Sequence, residues 1–341
     1  MGDDLLQLMK KQPHIMLLGA GASVAVMKDL GLTAPSPMKG FLKNAGLEDC
    51  LKGVTLKTKS DNLEDIYQEL CVSPEHKDIC QKLELGIVEY MRGFHLPKGR
   101  LSIYERIILS MTGNDRIYSF NWDPLLPEAF ANVLDAYRQW LIPTPQEHLP
   151  EIHYLHGNVA VGYCAEHENL EDGFSGRKCT QCGKTYIDTE LLYPNGKKVP
   201  TDCYGKTVFN WFKEDLFRSP FLTVFGYSAP DADNDYIADI LSNWKGTQYG
   251  NLFFKHIEVI DIAHGNHLWR KWRPFYKDRS YFSYYKAISK SYLFNHPRTM
   301  INDWIEEKYN GNWNIPKNPL PRINKWTDAL RFFRPLLQES F

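Results

Sequence analysis

Three short polar motifs, each trailing an apolar run, stand in order along the chain. Gly19-Ala20-Gly21-Ala22-Ser23 follows HIMLL, Asn121-Trp122-Asp123 follows RIYSF, and His156-Gly157-Asn158 follows EIHYL. Glycines at 19 and 21 put no Cβ between main-chain amides and an approaching phosphate, and Ser23 adds a hydroxyl near a helix start. Asn121 can bind a sugar hydroxyl or a water, and Asp123 accepts a hydrogen bond from a carboxamide. His156 titrates near neutrality and so suits proton transfer from a hydroxyl or a water. Each motif alone also has a plainer reading: a tight strand–helix turn, an Asn/Asp turn ahead of Pro124, a structural histidine.

A second kind of chemistry lies just beyond. Cys164-x-x-His167 and Cys179-x-x-Cys182 are paired knuckles with the spacing of a tetrahedral zinc site. Four protein donors leave no open position, so this zinc would be structural; Cys203 is the alternative fourth donor to His167. Further on, Gly226-Tyr227-Ser228 follows FLTVF and Asp261 ends HIEVIDI. Both positions suit the adenosine half of a dinucleotide, and both suit ordinary turns.

The elements that would position these residues are legible as apolar runs. Strands are predicted at residues 14–18, 116–120, 151–155, 221–225 and 256–262, with a helix from about Val24 and another over 232–244. Residues 38–110 read as a mainly helical insertion and 159–205, rich in Gly, Cys and Lys, as a small zinc-binding module. Apolar strands alternating with helices make a Rossmann-like parallel α/β sheet, in which ligands gather beyond the carboxyl ends of the strands. Every polar motif named above falls at such an end. This predicts an α/β catalytic domain over residues 1–269 and a C-terminal helical tail over 270–341.

Bulk properties narrow the class. A 341-residue chain with 43% hydrophobic and 24% charged residues is ordinary for a globular protein. No apolar run reaches the roughly 20 residues of a bilayer span, and the N-terminus lacks the features of a secretion signal. A cytoplasmic location away from membranes is expected. Seven cysteines, most in the metal-like cluster or near it, argue against a disulfide framework. The net charge of −1 conceals an asymmetry: residues 270–341 hold 14 Lys/Arg against 6 Asp/Glu, with many aromatic residues. That composition suits phosphate contacts and base stacking on nucleic acid, and equally a tail packed on its own acidic body or a sister subunit.

The ordered set G-A-G-x-S, N-x-D, H-G and paired metal knuckles resembles the sirtuin family over residues 13–265. Its phosphate cradle, Asn/Asp pair and strand-end histidine supply what cleavage of a nicotinamide dinucleotide needs. The resemblance implies that Gly19, Ala20, Gly21 and Ser23 hold NAD phosphates, with Gly226, Ser228 and Asp261 along the cofactor. It further implies that Asn121 orients the nicotinamide ribose or a water, that Asp123 reads the carboxamide, and that His156 is the general base. The P-D-F-R element of protein-deacylating members is replaced by LTAPSPMKGF, and the Gln before the Asn by Phe120. His167 replaces a zinc-ligating Cys. With Trp122 and F-G-Y-S-A-P-D, these departures resemble the bacterial branch that hydrolyses NAD in antiphage defence. That branch implies an NAD glycohydrolase and a homo-oligomer, with an ATPase or phage-sensing partner. The zinc module keeps open NAD-dependent deacylation of lysine, and an NAD-binding assembly module recruiting an ATPase or DNA is a third expectation.

Overall fold

His14–Leu18 (β1) is buried at every position, as a central strand covered on both faces requires. The computed structural model describes residues 3–167, 171–193, 200–227, 240–241, 255–275 and 281–338. In chain order its elements are α1 (Asp3–Lys10), β1, α2 (Ala20–Asp29), α3 (Phe41–Asn44), α4 (Leu63–Val72), α5 (Lys77–Arg92), α6 (Ile103–Ser110) and β2 (Arg116–Ser119). Then come α7 (Leu125–Gln139), β3 (Glu151–Tyr154), β4 (Val161–Cys164), β5 (Glu171–Phe174), β6 (Ile187–Asp188), α8 (Cys203–Arg218), β7 (Phe221–Phe225) and β8 (His256–Ile260). The chain continues through α9 (Gly265–Trp272), β9 (Tyr281–Tyr285), α10 (Tyr292–Asn295), α11 (Met300–Lys308) and α12 (Trp326–Gln338).

Among the described residues six strands form one sheet in the order β3-β2-β1-β7-β8-β9, and every neighbouring pair is parallel. The order runs outward in opposite directions from the β1–β7 pair. A doubly wound sheet opens a crevice at such a reversal, beyond the carboxyl ends of the two strands. The α/β reading therefore holds, and the glycine motif after β1 sits at the reversal. Three short antiparallel strands, β5-β4-β6, make the separate sheet of the cysteine-rich module.

The insertion is helical as expected and has its own apolar cluster, in which Phe41, Leu63, Leu70, Leu83 and Ile87 pack with Trp122, Val159 and Leu191. Trp122, between Asn121 and Asp123, thus anchors the second motif to the insertion. Helix α6 belongs to the main core instead. Ser102 and Glu105 cap it reciprocally, each side chain bonding the other's backbone N–H, and all eight of its residues are buried.

The tail carries helices as expected and also a strand. Tyr281–Tyr285 adds the sixth strand, parallel to β8, and Trp272, Trp304 and Phe333 are completely buried in the main core. The physical reason is the aromatic content: rings of this size stabilise most when removed from water. Much of the ring surface suited to base stacking is therefore spent on the chain's own sheet. No helix among the described residues is long and apolar enough to cross a membrane.

Candidate functional site

The turns after β1 and β7 interlock. The Gly19 N–H donates to Phe225 O at 3.0 Å and the Gly21 N–H to Gly226 O at 2.8 Å. A Cβ on Gly19 would stand 2.6 Å from Gly226 O, and one on Gly21 2.9 Å from the Gly226 Cα. The glycines read as room for a phosphate are thus also demanded by the neighbouring turn. Ala20 and Gly21 are exposed in the first turn of α2, where the Gly21 N–H is given to Gly226 O and the Ala22 N–H to Gly19 O at 2.9 Å. Helix α2 begins at Ala20 rather than near Val24, which puts Ser23 inside it, 1% exposed.

Beneath that turn the first two motifs meet in a closed polar cluster. The Asn121 amide nitrogen lies 2.9 Å from Gly19 O, 3.0 Å from Ser23 Oγ and 3.0 Å from Tyr104 Oη. Ser23 Oγ and Tyr104 Oη are 2.9 Å apart. Gly19 O can only accept, which fixes this terminal atom as the NH₂ group, with two hydrogens for Gly19 O and the hydroxyl pair. Asn121 Oδ1 is then left buried, without a hydrogen-bond partner among the described residues. Asp123 is buried and accepts from Ser23 and from the Leu125 N–H. Burial pushes its carboxyl up to about 6, against the opposing pull of those two donors. Strand β2 ends at Ser119, so Asn121 and Asp123 project from a turn rather than from one strand face.

The third motif is tied to the second. Asn158 Nδ2 donates to Asn121 O at 3.1 Å and to Asp123 O at 2.7 Å. Gly157, at φ 71°, turns the chain where a Cβ would collide with Glu190 O. His156 is buried with its ring 4.6 Å from that of Phe120, which in turn stacks on Tyr227 at 4.5 Å. Residues from the carboxyl ends of β1, β2, β3 and β7 thus converge. Asp261 lies at the end of β8, the strand beside β7, half-buried, with its Oδ1 accepting from the Ala263 N–H at 2.8 Å. Ser228 and most of the helix expected over 232–244 lie outside the described residues.

Tyr104 and Asn158 join the cluster without having been candidates by sequence. Nothing in the local pattern singles out Tyr104, which sits in an apolar helix as any core tyrosine does. Asn158 was legible only as the last letter of its motif.

Cys164, His167, Cys179 and Cys182 bring their donor atoms within 4.8 Å of one another. Cys164 Sγ and Cys182 Sγ are 3.6 Å apart, and Cys179 Sγ and His167 Nε2 3.3 Å. A tetrahedral zinc with bonds of about 2.3 Å to sulfur puts sulfur atoms about 3.8 Å apart. The set fits such an ion, and His167 rather than Cys203 completes it; Cys203 opens α8, away from the cluster. Glu171, which accepts from the Thr180 N–H and from the Tyr186 hydroxyl, braces the second knuckle.

No family model matches the chain, and no curated protein matches it. Solved structures do. A complex of ADP-ribose with a point mutant of a Sir2 homologue matches at 12% identity and TM-score 0.38 over all of both chains. A second mutant of a Sir2 homologue, also with ADP-ribose, matches at 13% and 0.41, again over all of both. A complex of a Sir2 homologue with NAD matches at 13% and 0.41 over 99% of this chain and 95% of that one.

A separate cavity of about 700 Å³ lies along the free edge of β3, lined by residues of α7, α8 and β5. None of Gly19, Ser23, Asn121, Asp123 or His156 lines it.

Proposed function

We propose that the protein is an NAD glycohydrolase, which adds water across the bond between nicotinamide and ribose to give nicotinamide, ADP-ribose and a proton. The observation that carries this reading is Asn121. Its amide NH₂ gives its two hydrogens to Gly19 O and to the hydroxyl pair of Ser23 and Tyr104, and its carbonyl oxygen is left as a buried acceptor at the sheet's point of reversal. An acceptor so placed suits a hydroxyl donor, either a ribose hydroxyl or the attacking water. Cleavage passes through an oxocarbenium-like state, so the protein must hold the sugar, keep the leaving group in place and remove one proton. His156 takes that proton in this reading, Asp123 accepts from the carboxamide NH₂, and the first turn of α2 meets the diphosphate, with Gly226 and Asp261 beside it. The four-donor cluster holds a structural zinc away from these steps.

The wider role we assign by resemblance is depletion of NAD in defence against phage. Infected cells carrying the gene should lose NAD, and cells carrying a His156→Ala version should not. A second reading, NAD-dependent lysine deacylation, is favoured by the metal module directly after the histidine motif. Product analysis separates the two. Incubation with NAD alone should release nicotinamide and ADP-ribose in equal amounts, with no gain from an acetyl-lysine peptide. Nicotinamide release that requires the peptide, together with acetyl-ADP-ribose, would establish the deacylase.

A further inference from the structure

We propose that Tyr104 is a positioning residue, whose phenolic hydroxyl fixes the Asn121 side chain with its carbonyl oxygen turned toward substrate. The inference rests on the reading of Asn121 given above and adds a residue to it.

The Asn121 NH₂ has two hydrogens for three neighbours: Gly19 O, which can only accept, takes one at 2.9 Å, and the other goes to the hydroxyl pair of Tyr104 and Ser23, each oxygen 3.0 Å away. Burial pushes the Tyr104 hydroxyl well up, so it stays protonated and must itself donate. Its remaining neighbour is Ser23 Oγ at 2.9 Å. Ser23 then donates onward to the Asp123 carboxylate. The order Tyr104 to Ser23 to Asp123 holds whichever hydroxyl takes the second Asn121 hydrogen, and it ends on an anion that polarises the series.

A packing role alone does not account for the hydroxyl. Tyr104 is fully buried in a helix whose other core positions include Ile103, Ile107 and Ile108, where phenylalanine would fill the same volume without a polar atom to satisfy. Burying a hydroxyl costs free energy unless it is bonded, and this one is bonded to both Ser23 and Asn121. Without it, the Asn121 NH₂ loses one of the two hydroxyl neighbours that hold it beside Gly19 O.

The test is a cycle of Tyr104→Phe, Ser23→Ala and the double variant, with kcat and KM for NAD and melting temperature measured on each. Tyr104→Phe should lower kcat tenfold or more with KM within about twofold, and the double variant should be little worse than the poorer single one. A kcat within twofold of wild type, a loss confined to KM, or fully additive losses would overturn the proposal. A second readout does not depend on turnover. The side-chain NH₂ signals of Asn121, assigned by their absence in Asn121→Ala, should shift and exchange faster with solvent in Tyr104→Phe. Unmoved signals would overturn the proposal, whereas a wild-type protein inert toward NAD with moved signals would overturn the glycohydrolase reading only.

Discussion

Gly226 adopts a φ of 65°, and a Cβ there would stand 2.1 Å from the Ala22 amide nitrogen. Two costs coincide at this position, the left-handed backbone and a collision with main chain that no side-chain rotation relieves. Gly226→Ala should therefore force the β7 turn away from α2. The expected outcome is a melting temperature lowered by several degrees together with weakened NAD binding by calorimetry. Gly31→Ala, whose Cβ meets nothing within 4 Å, should carry only the backbone strain.

The metal module predicts one zinc per chain by elemental analysis. His167→Ala and Cys179→Ser should each lose it, while Cys203→Ser should keep it. His167→Cys should retain the ion, since thiolate and imidazole both satisfy tetrahedral zinc. Chelation should loosen residues 161–188 to proteolysis before the main sheet unfolds.

Asp123 sets opposite trends in activity and stability. With its carboxyl raised to about 6 by burial, the ionised form needed to accept from a carboxamide dominates only above that pH. The kcat/KM for NAD should fall roughly tenfold per pH unit below about 6. The stability contribution has the other sign. The folded state holds the proton more tightly than the unfolded chain, so stability from this group is present at low pH and lost as pH rises through about 6. Asp123→Asn should remove the acid limb, leave a low, flat rate, and gain stability relative to wild type at pH 8.

Glu258 offers the same test away from the site. It is completely buried on β8, accepting from the Tyr292 N–H at 2.7 Å and from Thr223 Oγ1 at 3.2 Å, and burial pushes it up to about 7. His14, held down to about 3 by burial, stays neutral, and its Nε2 lies 2.8 Å from Thr223 Oγ1. Because Thr223 gives its hydroxyl proton to Glu258, the His14 Nε2–H must donate to it. Between about pH 4.5 and 7 the folded state retains a proton that the unfolded state has lost, a cost on the order of 3 kcal/mol once the pH exceeds both values. Glu258→Gln should match wild type near pH 5 and melt a few degrees higher at pH 8.

Much of this arrangement was legible in the residues because buried parallel strands must be apolar and must end in turns. HIMLL and FLTVF match β1 and β7 residue for residue, and the other three expected strands overran by one or two positions. Strand β9 was not legible because YFSYY lies in a basic stretch whose charge points to surface roles, while its rings were needed against the sheet. The glycines at 19 and 21 are recognisable by type, but half their reason lies some 200 residues away in the Gly226 turn, which no local pattern reports. Tyr104 was hidden for the same reason: only tertiary contact distinguishes a tyrosine that packs from one that also holds an amide in place. His167, one of two candidates for the fourth metal donor, was decided by geometry that spacing alone does not contain.

The central claim is that the Asn121 oxygen and His156 act on NAD, and one assay reaches it directly. Nicotinamide release from NAD would be followed for the purified wild-type protein and for Asn121→Ala and His156→Ala, with folding of each checked by melting. The account predicts turnover in wild type and a loss of roughly a hundredfold or more in each variant. Comparable nicotinamide release from a folded variant would contradict it.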